Sequence, residues 1–176
     1  MNIIDLTLPL HTGMPVYPGD PEVSIERILF LDTDDWEMRR MEINSHDGTH
    51  VNAQVHALAN GKNLDAYPLT AFCGQASIFT SLQELHADRG VIFRDQTIDA
   101  SHVAEILSVR PRFVGLAAEF DIDPDLEKQL LVADIIVYER LANTYLLPDT
   151  FMFYGMPLHI LEGDGSPVRA FAVVEG

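Results

Sequence analysis

Three of the seven histidines, His46, His50 and His56, fall inside one eleven-residue stretch of the segment SHDGTHVNAQVH, residues 45–56. An even spread over 176 residues would put fewer than one there. Imidazole is the commonest nitrogen ligand for first-row metals, and a catalytic metal site keeps one position open for water. The metal draws the pKa of that water toward neutrality, giving a hydroxide nucleophile without a serine or cysteine. A histidine that does not ligate can then carry the proton. The plainer alternative is a set of polar histidines around a turn with no shared purpose. A second acidic feature follows an apolar run: Ile135-Ile136-Val137-Tyr138 leads directly into Glu139. Ligands of α/β sheets gather at the carboxyl ends of strands, so a carboxylate there is a site candidate, with a solvated loop acid as its alternative.

These side chains must be positioned by the elements around them. Met38–Ser45 reads as extended, with His46 at its end, and Asp47-Gly48 makes a turn just before His50. Val51, Val55, Leu58 and Ala59 recur at helical spacing until Gly61, which predicts a helix carrying Asn52 and His56 on one face. A strand, turn and helix in that order would let several imidazoles converge.

The rest of the chain alternates strand and helix signals. Ile3–Leu8 reads as a first strand, followed by a loop rich in Pro and Gly. Val23 to Leu29 alternates with period two. Strands are expected at Ala76–Thr80, Val91–Phe93, Phe113–Ala118, Ile135–Tyr138, Phe151–Tyr154, Pro157–Ile160 and Val168–Val174. Helices are expected at Ser101–Val109 and from Asp123-Pro124, an N-cap acid before a first-turn proline, toward Ala133. With no internal repeat or linker, the pattern predicts one mixed α/β domain over residues 1–176.

Composition narrows the partners. A net charge of −16 repels phosphate backbones and anionic headgroups, which argues against nucleic acid and membrane surfaces and suits a site that attracts cations. The single cysteine, Cys73, excludes an internal disulfide framework and a cysteine zinc ribbon, and fits a buried small hydrophobe better than a nucleophile. The first residues lack the basic start and apolar core of a signal peptide, so a cytoplasmic protein is expected.

The segment HDGTHVNAQVH resembles the signature of the cyclase family, whose best-known members are bacterial kynurenine formamidases; that signature runs His, Gly-Thr-His, Asp, Pro, His at this spacing. The opening IIDLTLPLHTGMPVYPGDP is similar to the family's N-terminal strand and Pro/Gly loop. The ending LPDTFMFYGMPLHILEGDGSPVRAFAVV is similar to its C-terminal strands. From about Leu82 to Arg110 the match is weaker and the chain shorter than the family norm.

The resemblance implies a mixed-sheet, swivelling β/β/α-type fold, a homodimer or larger homo-oligomer, and hydrolysis of small amides with bound zinc or manganese. It implies that His46 and His50 ligate metal and that His56 is the general acid or base. Asn52 stands where the family has a ligating Asp. Glu139 matches an acidic ligand, and counting back twelve residues puts Glu127 where the family has His. The two exchanges cancel in charge, and Glu127 replaces nitrogen by a harder oxygen donor. Ala117, Gln54 and Ala57 also depart from the pattern. His46, His50 and Glu139 are then expected to converge with donor atoms within roughly 5 Å of one another.

Tyr17, Ser166 and Arg169 are the substrate-binding candidates, against the alternatives of a surface loop and a turn feeding the last strand. His11, His86, His102 and His159 are expected to be structural or exposed, and Trp36 to pack or sit in an interface. The implied function is a metal-dependent amide hydrolase acting on a small-molecule substrate. The rival is a non-catalytic relative that binds a small ligand or protein partner through the same pocket, favoured by the changes at 52 and 127.

Overall fold

The computed structural model describes residues 1–174. Its strands are β1 (Asn2–Asp5), β2 (Ser24–Leu29), β3 (Met38–Glu42), β4 (His50–Asn52), β5 (Cys73–Ile78), β6 (Gly90–Phe93), β7 (Phe113–Ala117), β8 (Ile136–Leu141), β9 (Thr150–Tyr154), β10 (Gly165–Pro167) and β11 (Phe171–Val174). The helices are α1 (Leu31–Asp34), α2 (Ala100–Val109) and α3 (Pro124–Val132). Nine strands form one mixed sheet in the order β1-β11-β9-β5-β6-β7-β8-β4-β10, and β2 and β3 form a separate hairpin.

The middle of the sheet, β5 to β8, is parallel, with α2 and α3 as the crossovers that parallel pairing demands. Both helices start where the sequence signals them. Asp99 accepts from the Ser101 and His102 amides in a capping box, and Asp123 accepts from Asp125 and Leu126 ahead of Pro124. Alternation along the parallel strands divides the apolar side chains between two faces. Val91, Phe93, Val114, Leu116 and Val137 pack with Val103, Ile106, Leu130 and Leu131 of the helices. Ile92, Phe113, Ile136 and Tyr138 point the other way, against Leu6, Phe72 and Phe153. Glu139, two residues after Val137, falls on the helix-covered face, where burial makes a carboxylate costly unless it is paired.

The sheet curls back on itself at the N-terminal segment. The Leu6 amide donates to the Ala170 carbonyl, and the Ala142 amide donates to the Leu6 carbonyl, so Leu6 ties the β11 side to the end of β8.

Three local expectations differ from the structure. The run from Val51 to Gly61 is not a helix: His50–Asn52 is a strand, and Gln54–His56 is a single 3-10 turn. Pairing decides this, because β4 is held between β8 and β10 and those ladder bonds outweigh a local helical period. Pro157–Ile160 provides only an isolated bridge between Pro157 and Val168. The expected strand Val168–Val174 narrows to β11, with Val168 making only the isolated bridge to Pro157, and the short strand β10 precedes it.

Candidate metal centre

Each residue of the DGTH segment has a mechanical task. The Asp47 carboxylate accepts from the Asn44 backbone amide and from Asn44 Nδ2, closing the turn that presents His46. Gly48 has a φ of +62°, and a side chain there would meet Leu10 Cδ2 at 2.9 Å, so glycine is needed both for conformation and for space. Thr49 Oγ1 donates to the Arg140 carbonyl and accepts from the Leu8 amide, fastening the turn to the end of β8 and to the N-terminal segment. The Gly48 carbonyl then accepts from His50 Nδ1 at 2.9 Å, which leaves Nε2 facing Glu139 Oε1 at 3.3 Å.

His50 and Asn52 lie on one face of β4, directly opposite Glu139 and Val137 of β8. On the other side of β4, Gly165 of β10 stands opposite Asn52. A Cβ at Gly165 would lie 2.5 Å from His46 Cε1, so only a glycine lets the His46 ring pack there. His46 Nδ1 is 2.8 Å from Asn52 Oδ1, and Nε2 is 2.9 Å from Asp164 Oδ2. Asp164 Oδ2 also reaches His56 Nδ1 at 3.4 Å, and the His46 and His56 rings are 4.0 Å apart between centroids. Asn52 Nδ2 donates to Glu127 Oε1, from the first turns of α3, and to Glu139 Oε1 at 2.8 Å.

His46, His50, Asn52, His56, Glu127 and Glu139 are thus linked through neighbouring side-chain contacts, but the expected trio of His46, His50 and Glu139 is not a group whose donor atoms all lie within 4.8 Å of one another. Among the described residues, the group of three or more His, Cys, Asp or Glu side chains whose donor atoms all lie within 4.8 Å of one another is His46, His56 and Asp164. Two nitrogens and a carboxylate oxygen suit a divalent transition ion, and three protein donors leave a position for water. Asp164 escaped the sequence reasoning. Its only local signal is a carboxylate between two glycines in Gly163-Asp164-Gly165, beside the Ser166 that attracted attention.

The charges are strongly perturbed. Burial works to raise the Asp164 pKa, but the hydrogen bond and charge of His46 overcome it and hold the group down at about 2. Burial, then the neighbouring His46 charge, pushes His56 below the usual histidine range, partly offset by Asp164. Burial, then repulsion from Glu139, raises Glu127 to about 7. Burial also works to raise Glu139, yet the hydrogen bond and charge of His50 bring it below the ordinary carboxylate value. A small open cleft of about 230 Å³ adjoins the centre, lined by His56, Ala57, Pro124, Glu127, Lys128 and Leu131.

The three substrate-binding candidates are placed differently. Tyr17 is 69% exposed in the loop between β1 and β2. The Ser166 hydroxyl is buried, donating to the Pro167 carbonyl and accepting from the Leu158 amide. The Arg169 guanidinium forms a two-point pair with the Asp5 carboxylate.

The family model described as "Putative cyclase" matches residues 4–119, which include the whole DGTH segment. The chain belongs to the cyclase family. Curated relatives span nearly the whole of this cyclase-family chain. A kynurenine formamidase of Salinibacter ruber (strain DSM 13855 / M31) is 25% identical, the alignment covering 97% of this chain and 96% of the relative. One from Erythrobacter litoralis (strain HTCC2594) is 24% identical, covering 96% and 92%. Among solved structures, an isatin hydrolase bound to the product analogue thioisatinate superposes with a TM-score of 0.81 at 19% identity, covering 99% of this chain and 92% of that one. A potential metal-dependent hydrolase with cyclase activity gives 0.78 at 20% identity, covering 97% and 96%. The curled mixed sheet is therefore the cyclase-like α/β fold that the sequence led one to expect.

Proposed function

We propose that this chain is a divalent-metal-dependent hydrolase of a small amide, with an N-formyl aryl amide as the reference substrate. The observation that carries this reading is the donor group His46, His56 and Asp164 beside an open cleft. Kinship with kynurenine formamidases supports the substrate class. Those three side chains would hold the ion, zinc or manganese, which supplies a water of lowered pKa and polarises the substrate carbonyl. The cleft, about 230 Å³, suits a small acyl group rather than a folded partner. His50 and Glu139 support the centre from beneath, and Glu127 reaches it from the cleft side.

A second role for His56 has its own observation. The Asp164 carboxylate faces His56 Nδ1, the pairing that orients an imidazole for proton transfer to and from water and the leaving amine. Affinity separates the two: as a ligand, His56→Ala weakens binding of the ion; as a proton carrier it spares binding and abolishes turnover.

The decisive test strips the protein of metal, restores zinc or manganese singly, and follows hydrolysis of an N-formyl aryl amide. Turnover is expected only after reconstitution and is expected to be lost in Asp164→Asn. A folded, metal-loaded protein without turnover on small amides would favour the ligand-binding alternative.

A further inference from the structure

We infer that Asn52 fills, with its own amide hydrogens, the space between Glu127 and Glu139 that a second cation would otherwise take, so that the centre holds one divalent ion. This rests on the proposal above that an ion binds beside His46 and Asp164.

Asn52 is 1% exposed and its backbone is fixed from both sides, opposite Val137 of β8 and Gly165 of β10. A primary amide carries two hydrogens on nitrogen and lone pairs on oxygen. Both hydrogens are used: Nδ2 donates to Glu127 Oε1 and to Glu139 Oε1. The oxygen is used as well, accepting from His46 Nδ1 at 2.8 Å. The reverse orientation would set a carbonyl oxygen against two carboxylate oxygens, so chemistry fixes which end faces which.

Two half-buried carboxylates held by one amide need compensation, and a cation or hydrogen-bond donors can supply it. Here the donors come from the protein. A cation entering between Glu127 and Glu139 would meet N–H hydrogens instead of a lone pair, and would have to displace both bonds. An aspartate at position 52 would present a second oxygen at the same place and act as a ligand. The same amide also sets the site that remains. By accepting from Nδ1 it puts the His46 proton on that nitrogen and directs Nε2 to Asp164 Oδ2, 2.9 Å away. With the proton on Nδ1, the Nε2 lone pair and Asp164 Oδ2 are the two donors that would hold the ion.

The test counts ions. Metal-stripped native protein and Asn52→Asp are loaded with manganese, desalted and analysed for metal per chain. Paramagnetic resonance reports whether two ions share a bridge, since bridged ions couple. One ion is expected in the native protein, and two, coupled, in Asn52→Asp. Two ions in the native protein would overturn the inference while leaving metal-dependent hydrolysis standing. A single ion in folded Asn52→Asp would also overturn it. Should Asn52→Asp fail to fold, the Asn52→Asp/Glu127→His variant keeps the native formal charge, and it too is expected to take two ions. No ion in the native protein would overturn both proposals. One ion without amide turnover would overturn only the assigned reaction.

Discussion

His50 and Glu139 stand directly opposite each other on the β4–β8 ladder, with Nε2 3.3 Å from Oε1. Glu139 also accepts from Asn52 Nδ2, so one carboxylate holds two buried side chains in place. Glu139→Ala is expected to strand both and to cost about 1–3 kcal/mol for each unsatisfied group. Glu139→Gln keeps the shape and an acceptor oxygen, and is expected to lose less. Urea unfolding of the metal-free proteins checks the order; equal losses in the two variants would remove Glu139 as the anchor of His50 and Asn52.

Gly165 is a glycine because His46 lies where its Cβ would be, 2.5 Å from Cε1 and 2.9 Å from Nδ1. Gly165→Ala is expected to push the His46 ring off Asn52 and Asp164, lowering affinity for zinc or manganese by at least about tenfold. Titration calorimetry measures it. Unchanged affinity would show that His46 does not hold the ion.

Metal-free protein is expected to lose stability as pH rises toward neutrality. Burial and the Glu139 charge raise Glu127 from its ordinary 4.5 to about 7, so the folded state binds a proton that the unfolded chain has released. The contribution is complete below about pH 4.5 and is lost as pH climbs through about 7. Across that window the slope is on the order of 1 kcal/mol per pH unit. Glu127→Gln is expected to flatten it, and the difference between the two unfolding profiles isolates the effect from other groups. Parallel profiles would contradict the assignment.

Assembly as a homodimer or larger closed oligomer is proposed on the β2–β3 hairpin. It stands apart from the main sheet, every residue of β3 is exposed, and Trp36 and Leu31 near its tip are 75% and 67% exposed. Apolar side chains so displayed mark a protein interface, here with a second copy, burying over about 1,000 Å². Sedimentation at micromolar concentration is expected to show an oligomer that Trp36→Asp weakens. A monomer throughout would reject the proposal.

Much of the centre was legible because its chemistry is local. His46, His50 and His56 are close in sequence, and Glu139 stands out as the first charge after an apolar strand. The start of α3 is likewise written in neighbouring residues, Asp123 with Pro124. Asp164 was not legible in this way. It reaches His46 only because β10 lies beside β4, a pairing between segments more than a hundred residues apart, and no local period encodes which strand a chain segment will meet. The same pairing made a strand of His50–Asn52, where the apolar spacing alone favoured a helix, since two flanking ladders satisfy the backbone on both sides. Sequence also identified Asn52 and Glu127 as the unusual residues. What the amide does was decided by the tertiary structure: with β8, α3 and His46 around it, an uncharged side chain meets two carboxylates and an imidazole at once, and its two ends are fixed by which partners donate and which accept.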